Sequence, residues 1–175
     1  MGDADESRRR SIRLDGYDYS QGGCYYFTVC TQDRIHRFGE IADSAMSLNA
    51  AGHMVVTVWE SLPARFPSLE LDSFIVMPDH LHGILWLCPS EAADLTVTVS
   101  LAAVVGAFKS LVTTDYMLGV RAGRLKPFGG KLLQRNYYEH IVRSDESLEL
   151  IREYILTNPT RWGQRPDASS AAGEV

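Results

Sequence analysis

The sequence predicts an α+β domain built on a single antiparallel sheet, and three observations carry that prediction. Short runs rich in aromatic and β-branched residues recur at 24–31, 69–77, 80–88 and 137–142, the signature of strands bounded by turns. Other segments carry apolar residues at helical spacing, at 49–62, at 97–118 and from Ser144 to Pro159. Two of the strand runs are separated only by Pro78 and Asp79, a tight-turn pair that closes a hairpin.

The elements follow in order. Residues 1–10 mix acidic and basic side chains and read as a disordered tail, and 166–175 as a loose C-terminal one. The stretch 11–165 reads as one domain, since 175 residues suit one good core and no linker or repeat interrupts it. CYYFTVCT follows Gly22 and Gly23 and is the first strand. NAAGHMVVTVWESL opens on Asn49 as an N-cap and is expected to stop before Pro63. LELDSFIVM and HLHGILWLC form the hairpin. VTVSLAAVVGAFKSLVTTDYML reads as a helix despite its β-branched content. A basic, glycine-containing segment then leads to the strand YYEHIV. The last helix, SDESLELIREYILTN, is expected to end at Pro159. Strand, helix, strand, strand, helix, strand is the split βαβ, ferredoxin-like order. The expected product is an antiparallel sheet with helices on one face and an added C-terminal helix bearing a tyrosine.

Composition narrows the function classes. An apolar fraction of 45% with 22% charged residues is that of an ordinary globular protein. No stretch looks like a membrane span of roughly 20 apolar residues, and MGDADESRRR has no apolar segment behind it to make a secretory signal. Cys24, Cys30 and Cys88 form neither a CxxC pair nor a zinc spacing, so reduced, buried thiols in a cytoplasmic protein are the plainest reading. The net charge of −5 argues against indiscriminate coating of nucleic acid. Yet RAGRLKPFGGKLLQR carries Arg121, Arg124, Lys126, Lys131 and Arg135 with no acidic residue. Such a patch suits phosphates, as does the cluster Arg8, Arg9, Arg10 and Arg13, although a solvated loop and tail explain the charges equally well.

The candidate chemistry sits in MPDHLHGI. Alternation along a strand puts His80 and His82 on one face and Leu81 on the other. Two imidazoles on Cα atoms about 7 Å apart can converge on one divalent ion, and a hairpin cap explains the pair as well. In the last helix Tyr154 and Asn158 are four apart and share a face, while Leu148, Ile151 and Ile155 supply an apolar stripe for docking on the sheet. A tyrosine beside two histidines would be a nucleophile beside a metal. Packing for Tyr154 and helix termination for Asn158 are the plain alternatives.

The chain resembles the HUH single-tyrosine transposases of bacterial insertion sequences, most closely their REP-associated tyrosine transposase-like branch. The resemblance rests on Pro78-Asp79-His80-Leu81-His82, on the block from Gln134 to Arg143, and on Ile151-Arg152-Glu153-Tyr154-Ile155 running into Asn158-Pro159. The opening Ile12-Arg13-Leu14 with Gly16-Tyr17-Asp18-Tyr19 matches too, so it spans about residues 10–163. It implies His80 and His82 as metal ligands, Asn158 as a third ligand where relatives commonly use Gln, and Tyr154 as nucleophile. It further implies Mg²⁺ or Mn²⁺, a substrate of single-stranded or hairpin DNA, and cleavage and strand transfer through a 5′-phosphotyrosine. The alternative is a domesticated, structure-selective DNA-binding protein without cleavage. Lys109, Arg121, Arg124, Lys126, Lys131, Arg135 and His140 are the expected DNA contacts, with Tyr17 or Tyr19 as stacking platforms. Tyr137 and Tyr138 are rival nucleophiles, of which alternation lets at most one reach the metal. His36 and His53 read as structural. A cytoplasmic, nucleoid-associated monomer or homodimer is the expected context.

Overall fold

The computed structural model describes residues 22–88 and 99–162. The two expected tails, the N-terminal arginine cluster, Tyr17 and Tyr19 lie outside the described residues. Inside them the chain folds as β1 (Gly23–Cys30), β2 (Gly39–Ala42), β3 (Ala45–Leu48), α1 (Ala50–Arg65), β4 (Leu69–Val76), β5 (His80–Leu87), α2 (Leu101–Arg121), β6 (Tyr138–Val142) and α3 (Asp145–Trp162).

The main sheet has the order β4-β5-β1-β6 with every pairing antiparallel. Hence β1 and β4 run parallel with β5 inserted between them, and β5 and β6 run parallel around β1. That is the split βαβ arrangement expected from the element order, with α1 and α2 as its crossovers. The β2–β3 hairpin was not anticipated. Its turn residues Asp43 and Ser44 both have positive φ (50° and 60°), the geometry of a type I′ turn, and Asp-Ser is a weaker sequence signal for it than Asn-Gly.

The two faces of the sheet do different jobs. On one, Tyr25, Phe27, Val29, Leu81 and Leu85 meet Val55, Trp59 and Leu62 of α1 and Val104, Phe108 and Val112 of α2. Gly83 belongs to this face, where a Cβ would lie 2.8 Å from the Phe27 ring; the glycine of HLHGI makes room for that ring. On the other face Cys24, Tyr26 and Ile84 pack under Leu148 and Ile155 of α3. The added helix therefore takes the face that α1 and α2 leave open. Burial here pushes the Cys24 thiol up to about 12, consistent with an inert packing thiol.

Two helices run further than the sequence suggests. Asn49 caps α1 as expected, its Oδ1 accepting from the amides of Ala51 (2.9 Å) and Gly52 (3.1 Å), but Pro63 sits inside the helix. Pro159 likewise lies inside α3, which continues to Trp162. An internal proline leaves the carbonyl four residues back without its helical partner and costs about 3 kcal/mol. The turn beyond Pro159 makes ring contacts with His80 and His36. In α2 the expectation about membrane segments is corrected: the helix is long and apolar enough to cross one. Its apolar residues Leu101, Val104, Val105, Phe108, Val112 and Tyr116 are instead buried in the core.

Candidate functional site

The α3 face of the sheet becomes polar at one end. Cross-strand register places Thr28 opposite His82 and Cys30 opposite His80 on one side of β1, and Tyr138 opposite Thr28 and His140 opposite Tyr26 on the other. Leu81 is fully buried on the reverse face, as alternation requires, and it fixes the strand so that both imidazoles turn toward α3.

The imidazole tips converge. His80 Nε2 and His82 Nε2 are 3.0 Å apart, with ring centroids at 4.6 Å and planes inclined by 74°. The outer nitrogens are held from behind. His80 Nδ1 lies 2.6 Å from Asp79 Oδ1, and Arg34 Nε lies 3.0 Å from the other oxygen of that carboxylate. A carboxylate paired with Arg34 only accepts, so in the neutral form His80 carries its proton on Nδ1 and turns a lone pair inward. His82 Nδ1 is 2.8 Å from both the Tyr26 hydroxyl and Thr28 Oγ1, and Thr28 Oγ1 donates to Tyr26 at 3.2 Å. With its oxygen occupied by Thr28, the Tyr26 proton is directed at His82. His82 Nε2–H then donates to the His80 lone pair, and the chain of hydrogen bonds closes. Because hydroxyls rotate, Tyr26 and Thr28 can also accept from His82, which would free its Nε2 lone pair.

A ligand set is geometrically available. Two donors about 2.1 Å from one ion and at right angles lie about 3.0 Å apart, which matches the Nε2 separation. An imidazole backed by a carboxylate is the usual outer support of a metal-binding histidine. Among the described residues no three His, Cys, Asp or Glu side chains converge, so a third donor from these residues would be an amide or a hydroxyl.

The last helix covers the pair. Tyr154, Asn158 and Trp162 are spaced by four and lie along one face of α3. The Tyr154 ring is 5.4 Å from that of His82, and the Trp162 indole stacks on His80 at 5.4 Å and 25°. Asn158, one turn from each, is 4% exposed. Arg161 lies over the Tyr154 ring at 5.9 Å. Trp162 and Arg161 reach the site only because the helix continues through Pro159. His80 and His82 are consequently 2% and 4% exposed.

A second anchor holds this helix. Arg152 binds Asp72 through Nε to Oδ1 at 3.0 Å and Nη2 to Oδ2 at 2.5 Å, and Glu149 through Nη1 at 2.6 Å. Trp86 Nε1 adds a donor to Asp72 at 3.2 Å. A bulge between Leu71 and Phe74 lets Phe74 stack on Trp59 in the main core while Asp72 faces α3. The Arg152 hydrogen bonds hold the Asp72 carboxyl well below the usual carboxylate range, against the opposing pull of burial.

The remaining candidates fall into groups. Tyr137 packs on the main core, whereas Tyr138 lies on the site face, its ring 6.1 Å from that of Tyr26. His140 is exposed on that same face. Arg121, Arg124, Lys126, Lys131 and Arg135 are all exposed. The segment carrying them lies at the His80 end of the sheet, because Gln32 N bonds Leu132 O and Gln134 N bonds Cys30 O. Lys109 has a structural job: Nζ donates to the carbonyls of Gln134 and Arg135, both at 2.7 Å, and so ties that segment to α2. His36, read as structural, lies 5.8 Å from the Trp162 ring. Sequence reasoning missed Tyr26, Thr28, Arg34, Asp79 as a histidine partner, and Trp162. Only Asp79, adjacent to His80, had a local signal.

No family model matches the chain. Over 163 residues it is 36% identical to an uncharacterised protein of Haemophilus influenzae, covering 89% of this chain and 91% of that one. A second protein of that organism, provisionally named a REP-associated tyrosine transposase, is 24% identical over 149 residues, 83% of this chain and 75% of its relative. The solved structure of a REP-associated tyrosine transposase bound to a REP hairpin shares the fold, with a TM-score of 0.54 at 21% identity over 85% of this chain and 73% of that one. The chain therefore shares the fold of a REP-associated tyrosine transposase, is similar in sequence to a protein that carries that name, and belongs with the uncharacterised Haemophilus influenzae protein that it matches over nearly its whole length.

Proposed function

We propose that the protein cleaves and rejoins single-stranded or hairpin DNA through a covalent 5′-phosphotyrosine. The observation that carries this reading is the meeting of Tyr154 with two tip-to-tip imidazoles on one face of the sheet. His80 and His82, with the Asn158 amide oxygen as third donor, would hold Mg²⁺ or Mn²⁺. When bound, that ion supplies stabilisation of the charge developing on the scissile phosphate. Nitrogen donors favour Mn²⁺ over Mg²⁺.

The steps belong to the chain's own residues. The Tyr154 hydroxyl gives up its proton as its oxygen attacks phosphorus, the bond to the 3′-oxygen breaks, and that oxygen takes up one proton to leave as a 3′-hydroxyl, so the proton count is unchanged. Attack by a 3′-hydroxyl on the phosphotyrosine reverses the step and joins strands without a nucleotide cofactor. Tyr26 is a poorer nucleophile than its position suggests, since burial pushes its hydroxyl up to about 12 with smaller contributions from Tyr154 and Tyr138; its place is behind His82. Arg121, Arg124, Lys126, Lys131 and Arg135 would hold the phosphate backbone beside the site.

The burial of both imidazoles favours a second reading, a DNA-binding protein that does not cut. One experiment decides between them. Labelled single strands carrying hairpins from the protein's genomic neighbourhood are incubated with protein and Mn²⁺, and covalent adducts are resolved under denaturing conditions. An adduct in the wild type that Tyr154→Phe abolishes supports cleavage. Binding without an adduct supports the second reading, and an equal adduct in both proteins moves the nucleophile to Tyr138.

A further inference from the structure

Tyr138 has no role in the chemistry above, yet it occupies an unusual place. It is the first residue of the edge strand β6, half exposed at 50%, and shares a cross-strand row with Thr28 and His82. Its ring meets Tyr26 edge-on at 6.1 Å with a 66° inclination, which steadies one side of it and leaves its remaining surface to solvent. His140 is exposed two residues further along the same face. The strand is bracketed by cations: Arg135 precedes it, Arg143 follows it, and both are exposed.

The contact with Tyr26 uses one edge of the ring, and the exposed half lies beside a buried polar cluster. A ring between exposed arginines on an open strand is the arrangement that receives single-stranded nucleic acid. The bases stack on the aromatic face while the cations follow the phosphates. A duplex hides its base faces and cannot use such a platform.

Resting on the DNA reading above, we propose that Tyr138 is a base-stacking platform: β6, from Arg135 to Arg143, takes an unpaired nucleotide next to the cut, and Tyr138 carries its base. The hydroxyl is dispensable for this and the ring is not. His140 lies under the neighbouring nucleotide.

The test uses the full chain with a short single-stranded oligonucleotide of random sequence bearing 2-aminopurine, in EDTA so that no cleavage intervenes. Tyr138→Ala should weaken binding roughly 5- to 150-fold, the value of one stacked base, and abolish the quenching of 2-aminopurine. Tyr138→Phe should bind like wild type and, with Mn²⁺, still form the adduct. Unchanged affinity in Tyr138→Ala overturns the proposal, as does an equal loss on a fully paired duplex. Loss of the adduct in Tyr138→Phe but not in Tyr154→Phe also overturns it, by making Tyr138 the nucleophile. A wild type that binds no DNA refutes the reading under Proposed function, whereas wild-type binding with an indifferent Tyr138→Ala refutes the platform alone.

Discussion

His80 and His82 face each other through their Nε2 atoms at 3.0 Å while their Nδ1 atoms are held by different kinds of partner. The carboxylate behind His80 permits one tautomer. The hydroxyls behind His82 permit two. A neutral His80 therefore offers its Nε2 lone pair, whereas His82 offers its own only in the tautomer that carries the proton on Nδ1.

The Asp79 carboxylate should matter to ion binding more than to folding. Asp79→Asn keeps the volume and removes the charge that sets the His80 tautomer, so Mn²⁺ affinity by calorimetry should fall about 10- to 100-fold. Unchanged affinity would sink the idea that Asp79 orients the ligand.

Tyr26 should tune the site without being its nucleophile. Tyr26→Phe leaves Thr28 as the hydroxyl behind His82, and the covalent adduct should still form, about 10- to 100-fold more slowly. Complete loss of the adduct in Tyr26→Phe, with the adduct kept in Tyr154→Phe, would reverse the assignment.

The Asp72–Arg152 pair should make stability depend on acid pH. Its contribution, about 2 kcal/mol for hydrogen bonds to a charged group, corresponds to roughly 4–8 °C in melting temperature. The folded carboxyl titrates below its ordinary value. The stabilisation is therefore fully present above the unfolded value near 4 (about 3.9 for Asp) and drains away as pH falls further. Asp72→Asn should melt lower than wild type at neutral pH, with the gap narrowing below about pH 4. A gap independent of pH would mean that packing, not charge, is what the substitution disturbs.

Trp162 should control access to His80. Removing the indole in Trp162→Ala exposes the ring it stacks on, so carbethoxylation of His80, followed by mass spectrometry, should become several-fold faster with little change at the exposed His53. Equal rates at His80 before and after the substitution would show that the helix opens on its own often enough for Trp162 not to matter.

Much of this protein is legible in the amino-acid sequence because the signals are local. Strand alternation places His80 and His82 together and buries Leu81, the Pro78-Asp79 turn pairs β4 with β5, and the spacing of four aligns Tyr154 with Asn158. Other features required the assembled sheet. Tyr26 and Thr28 come behind His82 only through a register linking positions more than fifty residues apart, which no local pattern encodes. The proline rule misjudged α3, whose turn past Pro159 meets His80 of β5 and His36, both remote in sequence.

By itself the sequence determined the four strands of the main sheet, the three helices and the face on which the two histidines lie, all of which follow from periodicity and turn chemistry. Tertiary structure alone decided that α3 takes the open face of the sheet, that two hydroxyls and a carboxylate govern the imidazoles, and that Trp162 closes over them. Those outcomes depend on distances between remote residues, and such distances exist only once the sheet has fixed its register and the core has chosen which helix covers which face.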